Sequence, residues 1–223
     1  MLWYKAWRET RLKILMPVGM VLFVLFLTHH DGGLRRGAPL FLAMMAMFWP
    51  VFPLLLAGSG VTTDPPFRAV KGSDSSLYFT LSLPVSRSRL LGMRVAVGMT
   101  ETAVLIGLTC GAAAIILPEL RHYFSGWDAL LYVFTVIFWC TSVYGLATLF
   151  SAFLDQQWQV LATMMVFWAG RGLAGGKGIL FRALEADSPL VTHAFPWAPS
   201  ALSLGLGLVC MVAAVKVVEA RQY

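Results

Sequence analysis

Apolar residues fall into six long runs along this chain, separated by shorter polar segments. The runs cover residues 12–28, 38–61, 95–117, 129–153, 160–173 and 198–218. A helix needs about 20 apolar residues to cross a hydrocarbon core of about 30 Å, and the first and fifth runs are shorter than that. None of the runs alternates between apolar and polar positions as the strands of a membrane barrel do, so the pattern predicts helices.

Basic residues are distributed unevenly between the segments that separate these runs. Eleven lie before or at the start of the first run, between the second and third, or at the end of the sixth or after it, whereas five lie in the alternate segments and Arg171 lies within the fifth run. Lys and Arg are enriched on the cytoplasmic side of membrane proteins. The asymmetry therefore predicts cytoplasmic termini and an even number of spans. The predicted fold class is an all-α polytopic membrane protein with six transmembrane helices.

The first thirteen residues form a separate element in this prediction. Trp3, Trp7 and Ile14 recur at helical spacing, with basic residues on the other faces. This pattern is typical of a helix that lies at the membrane interface. Polar residues 28–31 follow the first run at the place where a signal peptide would need a small-residue cleavage site, so we expect no cleaved signal.

Composition limits the function. Hydrophobic residues make up 58% of the 223 residues and charged residues 13%, and the polar segments are too short for a soluble domain, so one membrane domain is expected to use the whole chain. The basic residues are expected to determine the orientation of the helices in the membrane, and secondarily to contact anionic lipids. We therefore expect no nucleic-acid partner. The cysteines lie inside apolar runs and the histidines are scattered, so no metal or disulfide framework is predicted.

Neither ATP hydrolysis nor intramembrane catalysis is expected. The segment Gly175-Gly176-Lys177 has a glycine, Gly178, where a phosphate-binding loop needs Ser or Thr, and Arg171 stands at the position of the first glycine. No run holds a pair of carboxylates or a histidine that could act as a base. We therefore expect no enzyme and no cofactor.

Two connections are longer than a turn requires. The cytoplasmic one, residues 62–94, contains an apolar patch over residues 77–83, which fits either a strand or one face of a helix. Pro84 ends either element, and Ser86 is placed to cap a helix that continues into the third span. Such a patch binds a partner or packs beneath the bundle. The outer connection, residues 174–197, is expected to hold an amphipathic helix over residues 179–187.

Residues 77–101 read LYFTLSLPVSRSRLLGMRVAVGMTE, and this segment resembles the ABC-2 type permeases, the membrane subunits of many bacterial ABC exporters. The basic N-terminal helix, the six runs and the long connection before the last run are similar to that family as well. The resemblance implies a permease in the bacterial cytoplasmic (inner) membrane. Its partners would be a separate ABC ATPase subunit, a second permease subunit and membrane lipids.

In that family the first cytoplasmic loop carries a coupling helix that docks on the ATPase subunit. The resemblance places it here between Asp74 and Leu83, and the expected coupling residues are Asp74, Leu77, Tyr78, Phe79, Leu81 and Arg87. The alternative reading is a non-transporting accessory or scaffold subunit of a larger membrane complex. It explains the spans equally well, but it gives the apolar patch a less specific role.

Two charged residues fall inside apolar runs. Glu101 lies about two turns into the third run, and intramembrane acids are functional by default. A structural pair with Arg94 near the inner interface is favoured over a substrate contact. Arg171 lies toward the outer end of its run, where a long side chain can snorkel to the headgroups. Glycine clusters at residues 170–172 and 205–207 indicate close helix approach.

Overall fold

A computed structural model describes residues 14–30, 45–57, 87–116, 126–154, 156–173, 178–184 and 187–220. These ranges contain helices and turns and no strand. The predicted interfacial helix of residues 1–13 and most of the predicted coupling loop lie outside the described residues.

Eight helices are defined within those ranges: α1 Leu15–His30, α2 Val51–Leu56, α3 Arg87–Ile116, α4 Gly126–Ser151, α5 Gln156–Leu173, α6 Ile179–Arg182, α7 Pro189–Thr192 and α8 Trp197–Ala220. Helix α2 extends a helical turn that begins at Met45, so the apolar helix there runs Met45–Leu56. The prediction of an all-helical fold is confirmed for the described part of the chain.

Three of these helices are long and apolar enough to cross a membrane. They are Leu91–Ile115 within α3, Gly126–Ser151 and Trp197–Ala220, and they match the third, fourth and sixth predicted runs. Helix α5 covers the fifth run with 18 residues and α1 covers the first with 16, but neither belongs to this set. Six spans and cytoplasmic termini stay predictions.

Helix α4 is the centre of the bundle, since it packs against α2, α3, α5, α7 and α8. Many of its buried residues are Thr or Ser, which would be costly in lipid without hydrogen-bond partners. Their hydroxyls donate to carbonyls one turn earlier in the same helix, as in Thr148 Oγ1 to Tyr144 O at 2.8 Å and Thr141 Oγ1 to Ile137 O at 2.9 Å. These bonds let α4 carry polar residues inside the bundle.

Small residues set the contact between α4 and α8. The buried positions of α8 recur every three or four residues and are mostly small: Pro199, Ser200, Ser203, Gly207, Cys210, Ala214 and Val218. A Cβ built on Gly145 would lie 2.7 Å from Gly207 Cα, and a Cβ built on Gly207 would lie 2.7 Å from the carbonyl carbon of Thr141. The two backbones therefore touch at this crossing, as membrane helices do through small residues.

The close helix approach predicted at the two glycine clusters is found at one glycine only among those that the structure describes. Gly207 lies at the contact, whereas a Cβ built on Gly205 would have nothing within 4 Å, and the same holds for Gly170 and Gly172. Gly205 is turned away because two residues rotate a helix by about 200°. The indication of close approach is thus correct at Gly207, and at the other three glycines the described residues provide no such contact.

The outer connection differs from the predicted helix over residues 179–187. Helix α6 ends at Arg182, because the chain turns so that the Asp187 N–H donates to Arg182 O at 2.7 Å. An ion pair of 3.1 Å between Arg182 and Asp187 closes the same turn. The predicted apolar face is nevertheless buried at Ala183 and Leu184. The helix is shorter than predicted, and two residues of the face that was expected to meet the outer leaflet are buried within the protein instead.

Helix α7 joins the outer connection to the start of α4. Ser188 caps α7 by accepting a hydrogen bond from the Leu190 N–H at 3.4 Å, and His193 ends the helix in the left-handed conformation with φ 56°. A contact of 2.7 Å joins His193 Nδ1 to Asp128 Oδ2 in the first turn of α4. This contact fixes the chain just before α8 begins.

We expect Gly207→Ala to destabilise the bundle, because its new Cβ would collide with the backbone of α4 and move α8 outward. Overpacking of this kind costs about 1–3 kcal/mol. Thermal unfolding of the purified protein in detergent measures the change. The matched control is Gly205→Ala on the same helix, which meets open space and should leave the unfolding temperature unchanged or slightly higher. Equal losses in both variants would contradict the crossing.

Candidate functional site

Helix α3 connects the predicted coupling loop to the membrane without a break. It runs continuously from Arg87 to Ile116, which confirms the prediction of a helix that continues through Arg89 and Arg94 into the third span. The helix contains no proline, which is the commonest cause of a sharp kink.

A polar cluster lies where α3 meets α4. Arg94 and Glu101 are seven residues apart and share one face of α3. Tyr144 of α4 is buried, its hydroxyl donates to Arg94 O at 3.4 Å, and its phenol lies near enough to both charged side chains to interact with them electrostatically. The phenol of Tyr144 thus lies beside the part of α3 that carries both charged residues, and the sequence analysis did not predict this position of Tyr144.

Gly98 makes room for that phenol. A Cβ at this position would collide with the Tyr144 hydroxyl and lie 2.9 Å from Cζ of its ring. One turn further along α3, the Thr102 hydroxyl donates to Gly98 O at 2.8 Å. A glycine is needed here for space, since the helical backbone itself accepts any residue except proline.

Exposed tryptophans stand in the first turns of three helices, and two of them define levels about one hydrocarbon-core thickness apart. Trp127 and Trp197 stand at the starts of α4 and α8, and Trp158 stands at the start of α5. The ring contact of 4.9 Å between Trp139 and Phe167 aligns α4 with the antiparallel α5. Trp158 lies nine residues before Phe167 on α5, and Thr148 lies nine residues after Trp139 on α4. Because the two helices are antiparallel, Trp158 and Thr148 are at the same level. The 21 residues from position 127 to 148 rise about 30 Å, the thickness of a hydrocarbon core, and tryptophans favour its two boundaries.

This alignment gives the depth of Glu101. Because Gly98 lies against Tyr144, Glu101 is level with about Thr141 of the antiparallel α4. That is about 10 Å along the bundle from the level of Trp158. Residue 103 is the midpoint of the 25-residue segment Leu91–Ile115, so Glu101 lies near the middle of that segment, whereas the sequence analysis placed it near one end. A carboxylate in the middle of a spanning helix requires neighbours that stabilise its charge or its proton, and Tyr144 lies near enough to interact with it electrostatically.

Arg171 lies in a different environment, in the last turn of α5. Its guanidinium carbon lies 5.6 Å from the centre of the Trp168 ring and 5.4 Å from that of Phe181. Cation–π contacts of this geometry stabilise a charge that is partly removed from water. The side chain is half-buried, so its head group rests on rings of the bundle.

Phe181 connects Arg171 to an aromatic cluster in the bundle. Its ring centre lies 4.8 Å from that of Phe167 and 6.1 Å from that of Trp139. Trp139 is at the midpoint of α4, so α6 inserts its apolar side between the helices. The sequence shows that Trp139, Phe167 and Phe181 lie within or beside apolar runs. It does not indicate that the three rings meet.

The other predicted coupling residues are outside what the structure describes. Asp74, Leu77, Tyr78, Phe79 and Leu81 belong to undescribed segments, and Arg87 is described only as the first residue of α3. Among the residues that the structure does describe, no three His, Cys, Asp or Glu side chains are grouped closely enough to hold a metal ion.

Comparison with protein-family models, curated proteins and solved structures finds no match to this chain.

We expect Gly98→Ala to weaken the contact between α3 and α4, because the methyl group and the Tyr144 phenol cannot share the same space. The unfolding temperature in detergent should fall by a few degrees, equivalent to about 1–3 kcal/mol. Gly107→Ala is the matched control, since a Cβ there meets nothing within 4 Å.

The double variant Gly98→Ala with Tyr144→Phe identifies the cause. Removing the hydroxyl removes the shortest of the three close contacts, so part of the lost stability should return. An additive loss, equal to the two single changes together, would show that Gly98 acts elsewhere.

Proposed function

We propose that this protein is the permease subunit of an ABC exporter. In this proposal a separate ATPase chain hydrolyses ATP, and the permease pairs with a second permease subunit to form the path for a substrate that leaves the cytoplasm. Three lines of reasoning support it: the resemblance over residues 77–101, the distribution of basic residues, and helices long and apolar enough to cross a membrane.

The unbroken helix α3 is the observation that carries the mechanism. It begins at Arg87, next to the predicted coupling segment, and it meets α4 at Tyr144. A protein partner can shift the conformation of a bundle only through contacts that differ between two states. A rigid helix that starts at the contact and is fixed to the central helix would deliver such a shift to α4, and through the Gly145–Gly207 crossing to α8.

Six spans, cytoplasmic termini and a bacterial inner-membrane location belong to this proposal. A bundle of six helices, two of them short, leaves little room for a central path. The seam between two permease subunits offers that room, and in similar permeases the first, second and fifth spans line it. Helix α5 suits a seam better than lipid, because it holds Arg171 and is absent from the set of spanning helices.

The proposed topology predicts which positions react with a membrane-impermeant thiol reagent. In a variant without the natural cysteines, single substitutions Ser73→Cys and Tyr223→Cys should stay unlabelled in intact cells and react after lysis. His30→Cys, Arg121→Cys and Asp187→Cys should react in intact cells. Labelling of position 73 from outside would reverse the orientation and remove the argument for a coupling loop.

Purification from the native membrane tests the function itself. The protein should bring with it a soluble chain that binds and hydrolyses ATP, and the complex should hydrolyse ATP faster than the isolated chain. Recovery of respiratory or photosynthetic subunits without such a chain would favour the accessory-subunit alternative.

Truncation of the apolar patch should weaken that complex. Loss of a buried aromatic anchor typically costs about 2 kcal/mol or more, roughly 30-fold in affinity. We therefore expect Tyr78→Ala or Phe79→Ala to release the ATPase chain or to separate hydrolysis from transport, with Thr80→Ala as the neighbouring control. Binding of the ATPase and unfolding temperature are measured on the same samples. If these variants lower stability yet retain the ATPase chain per folded molecule, the patch packs beneath the bundle and does not couple.

A further inference from the structure

Two prolines interrupt the hydrogen-bond ladder of the Met45–Leu56 helix. Proline has no N–H, so Pro50 cannot donate to Ala46 O and Pro53 cannot donate to Trp49 O, the positions one turn earlier. Pro50 keeps helical backbone angles (φ −65°, ψ −22°), so the helix continues through it while its ladder lacks two donors. The ladder continues afterwards with the Leu54 N–H donating to Pro50 O at 3.2 Å and the Ala57 N–H to Pro53 O at 2.8 Å.

The carbonyl that Pro53 leaves without a ladder donor receives one from α4. Cys140 donates its thiol hydrogen to Trp49 O, with 3.6 Å between sulfur and oxygen. Both residues are buried, and the interior of a membrane bundle has little water to replace a missing donor. Neighbouring helices commonly satisfy the groups that a proline frees, and here a thiol from the central helix does so.

A second contact holds the side chain of the same residue. The Trp49 indole N–H donates to the Tyr132 hydroxyl at 3.2 Å, and its ring packs edge-on against Phe52 with 5.5 Å between ring centres. Tyr132 and Cys140 are eight residues apart, about 12 Å along α4. The interrupted part of the ladder is therefore attached to α4 at two separate points, one through the backbone and one through the indole.

We propose that residues Trp49–Pro53 form a hinge in this helix and that the Cys140 thiol is its releasable latch. A thiol is a weak hydrogen-bond donor, so the bond to Trp49 O breaks at lower cost than the amide bond it replaces. Cys140 lies within two residues of the midpoint of Gly126–Ser151. A bend at the hinge changes the angle between the two halves of the Met45–Leu56 helix, which this thiol holds to α4. The inference does not rest on the proposed transport function.

Amide hydrogen exchange on the full chain in lipid nanodiscs measures opening of the hinge. In Cys140→Ala the amides of residues 51–57 should exchange about tenfold faster than in the natural chain, because the freed carbonyl favours the open form. Cys140→Ser keeps a donor and should retain most of the protection. Cys210→Ala is the matched control, a buried cysteine of α8, and it should leave exchange at residues 51–57 unchanged.

Replacing Pro53 distinguishes a hinge from a fixed kink. Pro53→Ala restores an amide donor to Trp49 O, so exchange at residues 51–57 should become slower than in the natural chain. In that background Cys140→Ala should have no further effect on the segment. Unchanged or faster exchange in Pro53→Ala alone would overturn the hinge. An equal acceleration by Cys140→Ala with and without Pro53 would overturn the latch.

Discussion

The contact between α4 and α8 at Gly145 and Gly207 determines how the rest of the bundle is arranged. Lipid chains are as apolar as leucine, so burial of apolar surface alone does not bring membrane helices together. Here the missing side chains let the two backbones touch, which gains dispersion contacts along both helices. With α8 fixed on one side, the other faces of α4 remain free to receive α2, α3 and α5.

The second constraint is that polar groups must find partners within the protein. The buried hydroxyls of α4 bond to carbonyls of their own helix, and the Trp49 carbonyl is bonded by Cys140. At Tyr144 one phenol serves the α3 backbone and interacts with both Arg94 and Glu101. These contacts are specific in geometry, so they fix the rotation of each helix, which apolar packing in lipid leaves loosely determined.

The sequence was sufficient for the position of helices but not for their rotation or their neighbours. Run 129–153 became Gly126–Ser151 and run 198–218 became Trp197–Ala220, because length and hydropathy decide where a chain can be a spanning helix. The contacts of Tyr144 with Gly98 and of Cys140 with Trp49 join residues 46 and 91 positions apart. No periodic pattern within one helix contains that information.

The predicted length of the helix in the outer connection was wrong for a related reason. The end of α6 at Arg182 depends on a turn that Asp187 closes. Periodicity reports only which side of a helix is apolar.

The central helix therefore receives two kinds of neighbour. Helix α3 meets it at Tyr144 as a continuous helix, whereas the Met45–Leu56 helix meets it at Tyr132 and Cys140 as one whose ladder is interrupted. Helix α3 contains no proline, and the hydrogen bond from Tyr144 to Arg94 O attaches it to α4. The Met45–Leu56 helix contains the interrupted ladder and a weak bond, so it is the part of the described bundle that yields first. The described bundle therefore combines a helix without proline on one face of α4 with a helix whose ladder is interrupted on another.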